Sequence, residues 1–293
     1  MGSCEQSPKW RTTMKSTNKI GTTVAGILSL AVFLVACDST NSGTPAPQGP
    51  KVSATELSSL GSAAGFAVFG GTAGVTNQGT STTIDGDLGT TGASTTITGF
   101  HSPTFVYGET PLNVGTINGL VYSNAPQGSP ADFVQANSAA ADALATFNTL
   151  AALPGGIDPG AGQLGGLVIA PGLYKAAGGS FKITGSDLTL DAKGDANAVW
   201  VFQMASSLTV GGSAAPRSVI LVGGAQSKNI YWQVGSSATI NGAGGGTMAG
   251  TIVASAGIAF STPDNKAITT LNGRALALHA SVTMVNTVIH SGN

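Results

Sequence analysis

The sequence predicts a mainly β protein, a solenoid of stacked coils with one long α-helix packed along a side. Three observations carry that expectation. First, a polar–apolar beat returns along the C-terminal half, at Ser180–Thr184, Ser207–Val210, Ser237–Ile240, Gly257–Ser261 and Ser281–Thr283. Alternation of period two marks a strand with one buried face, and its return every 20 to 30 residues fits one such strand per coil. Second, the chain has 43 glycines in 293 residues, 42% hydrophobic content and only 9% charged residues. Globular chains carry about a quarter charged residues. Low charge with high apolar content argues against disorder and for strands joined by tight turns. Third, only one stretch carries strong helix signals.

From the N-terminus, an uncharged apolar run over residues 20–36 follows the basic stretch Lys9, Arg11, Lys15 and Lys19. That order is a secretory signal, and Met14 offers an alternative start at a more usual length. The run ends in Leu34-Val35-Ala36-Cys37, which resembles a bacterial lipobox and implies cleavage before Cys37 and lipidation of its thiol. An uncleaved membrane anchor is the other reading. Either one exports the domain and tethers it to a membrane. Cys4 lies in the removed segment, so the mature domain has no disulfide and no cysteine metal site. Residues 37–56 are rich in Ser, Thr, Pro and Gly and read as a flexible tether. One domain over 57–293 then follows.

Within that domain, Gly65–Phe69 through Ile97–Phe100 alternate and turn often, and supply further coils. Residues 101–128, with Pro103, Pro111 and Pro126, read as an irregular loop or cap over one end; a solenoid needs such caps against edge-to-edge pairing. The helix is expected at about 129–153. Ser129 is the N-cap, Pro130 the first helical residue and Asp132 an acid in the first turn. Phe133, Ala136, Ala140, Leu144, Phe147 and Ala151 form its apolar stripe, and Pro154-Gly155-Gly156 stops it. Asn197–Gln203 and Asn229–Val234 are apolar on both faces and so covered on both sides. The expected arrangement docks the helix over Trp200, Phe202, Tyr231 and Trp232.

Several chemistries are excluded or disfavoured. From residue 38 onward 8 of the 12 basic and 12 of the 13 acidic residues remain, a mildly acidic balance with no basic patch for nucleic acid. There is no phosphate loop, His-Glu-x-x-His or Gly-x-Ser-x-Gly. His101, His279 and His290 are scattered without local metal partners. Asp85-Gly-Asp87 and Asp191–Asp195 lack the alternating oxygens of a calcium loop and read as turns, and Asp195-Ala196-Asn197 reads as closing a hairpin before the Trp200 strand. A polysaccharide lyase or hydrolase would need clustered carboxylates in a groove, while Lys182 is the only charge among the repeated outward positions. No enzyme activity, cofactor or metal is expected. A surface adhesin or carbohydrate-binding solenoid is the alternative; it would need exposed aromatics.

Four segments, Ile169–Lys175, Asn197–Gln203, Lys228–Val234 and Leu271–Ala277, occur in an order that resembles the microbial ice-binding (antifreeze) proteins with a discontinuous right-handed β-helix. Leu60–Phe69, Ile84–Gly89 and the mid-chain helix match the same family, so the resemblance spans about residues 57–290. It implies a triangular solenoid in which N-terminal coils fit beside the last C-terminal ones. It also implies a flat face that binds ice, carried here by Thr72, Gly74 and Thr76, Ser207 and Thr209, Ser237 and Thr239, Gly257, Ala259 and Ser261, and Ser281 and Thr283. The expected partners are ice and, through the lipid, a membrane; the protein is expected to be a monomer. Physical reasoning stands beside this. Coils about 4.8 Å apart with outward residues about 6.7 Å apart make a two-dimensional grid. Threonine offers a methyl that organises water and a hydroxyl that pins it. Lys182 either interrupts the grid or lies at its edge.

Overall fold

The computed structural model describes residues 47–57, 59–212 and 215–291. The signal segment, the lipobox with Cys37 and most of the tether lie outside the described residues. The chain divides after Gly43, and every described residue belongs to the unit from Thr44 onward.

Among the described residues the strands form three sheets of thirteen, seven and three strands. Paired strands run parallel, except Phe100–His101 against Val106–Tyr107 and the isolated antiparallel bridge of Thr110 with Asn113. Each coil gives one strand to the seven-stranded sheet, in the order Phe181–Ile183, Leu208–Val210, Ala238–Ile240, Ile258–Phe260, Val282–Met284, Val75–Asn77 and Ile97–Thr98. The chain is therefore discontinuous along the stack, because the last C-terminal strand sits directly beside the first N-terminal one. In the thirteen-stranded sheet, Phe66–Gly70 likewise inserts between Thr269–Ala277 and Asp87–Ala93. The two ends of the domain thus close on each other through backbone ladders, which suits a domain without disulfides.

Sequence explains the corners. Thr247–Ala254 and Thr269–Ala277 are long because each bends from one side of the stack to the next. The bend falls at the register pair Gly250 and Gly273. A Cβ on Gly273 would lie 2.0 Å from the Gly250 carbonyl oxygen, so no side chain fits. The corner after the seven-stranded sheet is turned by Gly211, Asn241 and Ser261, with φ of 74°, 49° and 60°. Glycine and asparagine are the residues that reach this left-handed region most readily. Asn241 adds bonds: its Oδ1 accepts from the Arg217 amide, and its Nδ2 donates to the Arg217 and Gly245 carbonyls.

The interior of the stack is apolar and aromatic. Tyr174, Phe202 and Trp232 occupy one register line and stack at 5.5 and 4.1 Å between ring centroids. The Trp200 and Trp232 indoles donate to the Ile169 and Ala249 carbonyls, so each buried N–H is satisfied. Trp200, Phe202 and Trp232 therefore fill the inside of the coils and do not meet the helix. Of the four aromatics expected beneath it, only Tyr231 faces that way.

The helix runs over Pro130–Ala152, and Ser129 and Asp132 form a reciprocal capping box. Its buried residues are Ala136, Ala139, Ala143, Thr146 and Leu150. The expected stripe is thus displaced by part of a turn: Leu144 is 43% exposed and Ala151 is exposed. Alanines at the contact let the helix approach the sheet closely, with Phe133 and Phe147 along the margins. It lies on a register row made of Gln203, Gln233, Val253, Leu276, Phe69, Gly89 and Tyr122. Gln203 ends the helix from below, donating from Nε2 to the Leu150 and Leu153 carbonyls at 2.6 and 2.9 Å.

Residues 101–128 do cap one end, but with strands that their prolines obscure in sequence: Val106–Tyr107, Gly115–Ile117 and Val121–Asn124. At the opposite end, residues 160–167 cover the edge strand, with Lys182 N donating to Gly162 O and Leu164 N to Lys182 O. Pro50, read as tether, accepts from the Leu173 amide there, so the ordered backbone begins earlier than residue 57. Asp191–Asp195 is a turn held by Asp191 Oδ1 accepting from Lys193 N. The flanking strands belong to different sheets, so no hairpin forms.

Candidate binding face

The outer surface of the seven-stranded sheet is built from the second residue of each strand. Phe181, Leu208, Ala238, Ile258, Val282, Val75 and Ile97 are all buried and point inward. Their neighbours point out and stack in register as Lys182, Thr209, Thr239, Ala259, Thr283, Thr76 and Thr98. Six strand spacings of about 4.8 Å make this row about 29 Å long. Two residues earlier runs a second row, Ser180, Ser207, Ser237, Gly257, Ser281 and Gly74. It is aligned by amides of the following residues that donate to Ser207, Ser237, Gly257, Ser281 and Gly74 carbonyls.

The hydroxyls are partly tied to one another. Ser180 and Ser207 share a hydrogen bond of 3.0 Å, and Thr98 Oγ1 donates to Thr76 Oγ1 at 3.2 Å. Such bonds reduce rotamer freedom before anything binds, so less is lost on contact. Thr239 and Ser237, on the third strand and so away from both edges of the sheet, are exposed. Lys182 is the only charged residue in either row and stands on the edge strand, outside the threonines. His279 is in the turn before Val282–Met284, and with its proton on Nδ1 it donates to the Ser255 carbonyl at 2.7 Å. The imidazole is thus held along the turn.

Nine of the residues singled out from sequence lie in these two rows: Gly74, Thr76, Ser207, Thr209, Ser237, Thr239, Gly257, Ala259 and Ser281; Thr283 makes a tenth. Two lie elsewhere. Ser261 was expected to continue the outward alternation of Gly257 and Ala259. It instead takes φ 60° at the corner and is buried, 7% exposed. Thr72 sits in the turn at 71–73, in the column of the Leu278–His279 turn. Gly74 is in the row but offers no side chain by necessity: a Cβ there would lie 2.2 Å from Thr96 O. Thr98 and Ser180 complete the rows and were missed as site residues. Ile97-Thr98 is too short to register as a repeat, yet its hydrophobic–threonine pair is the same signal.

Elsewhere, two histidines acquire carboxylate partners that their sequence surroundings do not show. His101 Nδ1 lies 2.7 Å from Glu109 Oε1, and His290 Nδ1 lies 2.7 Å from Asp85 Oδ2 across the discontinuity. No group of three or more His, Cys, Asp or Glu that could hold a metal occurs among the described residues.

The profile of ice-binding-like proteins matches residues 69–290, almost the whole stack. The chain belongs to the ice-binding-like family. It is 36% identical over 232 residues to an ice-binding protein of Nostoc sp. (strain HG1), covering 79% of this chain and 73% of that protein. It is 32% identical over 256 residues to an ice-binding protein of Flavobacterium frigoris (strain PS1), covering 86% and 81%. Among solved structures, that of an ice-binding protein from the Antarctic ascomycete Antarctomyces psychrotrophicus matches with a TM-score of 0.65 at 34% identity, over 81% of this chain and 99% of that one. Family membership read from the four ordered motifs therefore holds, and so does a mainly β architecture with one helix.

Proposed function

We propose that this protein binds ice through the outer surface of the seven-stranded sheet, without catalysis. One observation carries the proposal: the unbroken in-register row Thr209, Thr239, Ala259, Thr283, Thr76 and Thr98, free of charge. Every backbone position but that of Thr98, on the edge strand, is fixed by parallel ladders on both sides, so the grid is rigid. Methyls order adjacent water and hydroxyls anchor it, and a bridging water is nearly as favourable as a direct bond. A strongly hydrated ammonium or carboxylate would hold water in another geometry. The names of the relatives support the same reading.

The finer architecture belongs to the proposal. Three sheets per stack support a triangular section, and parallel crossovers are right-handed in about 98% of cases, which supports right-handed winding. We further place the domain outside the cell as a monomer, on a lipid at Cys37 after removal of residues 1–36. The composition of residues 1–46 supports that placement. The test of ice binding is ice shaping and recrystallisation inhibition by the chain from Thr44 onward, which keeps the Pro50 contact. Faceted crystals and arrested coarsening are expected; round crystals and coarsening at the rate of a control protein would refute ice binding.

A further inference from the structure

The capped end of the stack carries chemistry that contact with ice does not use. The hairpin Phe100–Tyr107, the loop after Gly115–Ile117 and the start of the helix surround a cleft of about 490 Å³. That is within the range of small-molecule sites, about 300–1,000 Å³. One wall is Phe105, 39% exposed, with its ring held edge-on to Tyr107 at 4.9 Å and 65°. Around it stand Asp87, Asp132, Asn118 and Gln127.

The carboxylates are positioned. Asp87 Oδ1 accepts from the Leu120 amide at 2.8 Å. Asp132 Oδ2 accepts from the Ser129 amide and hydroxyl at 2.8 and 2.7 Å. Both act on one neighbour: burial pushes the Tyr122 phenol above its usual range, and the charges of Asp87 and Asp132 push it further. No lining residue is basic, and the sequence has no Lys or Arg between Lys51 and Lys175. Phosphates, sulfates and carboxylates are thereby repelled. A divalent cation would require more oxygen ligands than two carboxylates.

What fits is an uncharged molecule with several hydroxyl donors and one C–H face. Hydroxyls give charge-assisted bonds to carboxylates, about twice as strong as neutral ones, and amides take the remaining groups. The C–H face suits the negative face of an aromatic ring. We propose that this cleft binds a neutral hexose unit of a saccharide. Aromatic exposure, absent from the Ser/Thr rows, is what a carbohydrate site requires, and it is found here on the cap, where Phe105 and Tyr107 also border Thr98 at the end of the threonine row. An ice-binding protein with this second site would hold ice on its flank and a glycan at its end.

The test is saturation-transfer NMR on the chain from Thr44, with methyl α- and β-glucoside, galactoside and mannoside, and with maltose and cellobiose. Titration with calcium chloride is run in parallel. At least one glycoside should bind with a Kd below about 10 mM, a free energy of a few kcal/mol. Phe105→Ala and Leu120→Trp, the second filling the cleft from a position 63% exposed, should each weaken binding tenfold or more. Leu120→Trp should shape ice as the parent does. Leu112→Ala, outside the cleft and 78% exposed, should bind as the parent. Circular dichroism checks that each variant is folded, and Asn118→Ala replaces any that is not. No saturation transfer from any glycoside at 10 mM, equal binding in both cleft variants, or binding of calcium alone would overturn the proposal.

Discussion

Two outer surfaces of one stack have opposite fates. On the thirteen-stranded sheet, the outward row Gln203, Gln233, Val253, Leu276, Phe69, Gly89 and Tyr122 lies under the helix. On the seven-stranded sheet, the outward row Thr209, Thr239, Ala259, Thr283, Thr76 and Thr98 is bare. The backbone is the same in both: parallel strands at one spacing, each coil contributing one residue to the row. Side chains alone decide the outcome. Large apolar groups leave too much surface to remain in water, so they recruit a helix whose alanines permit close approach. Hydroxyls and methyls of uniform height need no cover, and any bulky group would spoil their flatness. Ice contact is thus available only where the sequence keeps the helix away.

Four substitutions break or sharpen that contrast. Trp232→Ala removes a fully buried ring from the interior shared by both surfaces; it should cost about 3–5 kcal/mol in urea unfolding and impair ice shaping through loss of fold. Ala139→Leu overpacks the covered surface alone. It should cost about 1–3 kcal/mol while the folded fraction shapes ice normally; loss of shaping at full folding would mean that the two surfaces are coupled. Ser129→Ala deletes the helix N-cap, for about 1 kcal/mol in the same measurement and no change in ice activity. Lys182→Thr should have the smallest effect, a modest gain in thermal hysteresis with an unaltered melting temperature, because the lysine stands at the edge of the bare row. Unchanged hysteresis would show that the row ends functionally at Thr209.

The contrast was partly legible in the sequence. Period-two alternation located most of the bare row, since Thr209, Thr239 and Thr283 each sit between two apolar residues that must go inside. Ser129-Pro130-Ala131-Asp132 placed the helix start to the residue. Three features escaped because their causes are tertiary. Ser261 continues the alternation on paper, but the coil must turn a corner there, and its φ of 60° carries the side chain inward. Trp200, Phe202 and Trp232 were expected under the helix, yet strands apolar on both faces do not say which face is the interior. The stacking of those rings at the centre of the coils settles it. Finally, the pairing of His290 with Asp85 and of Val282–Met284 with Val75–Asn77 joins residues about two hundred positions apart. No local pattern encodes such a junction; here only the resemblance of several ordered motifs to a family anticipated it.

The most direct measurement places one bulky ring on each surface of the folded protein and compares ice growth. Thr239→Tyr puts it inside the bare row, between Thr209 and Ala259, and Leu144→Tyr puts it on the exposed side of the helix. Both variants should melt like the parent. Thermal hysteresis and ice shaping should vanish for Thr239→Tyr and persist for Leu144→Tyr. Full activity of Thr239→Tyr would contradict the placement of ice contact on the seven-stranded sheet.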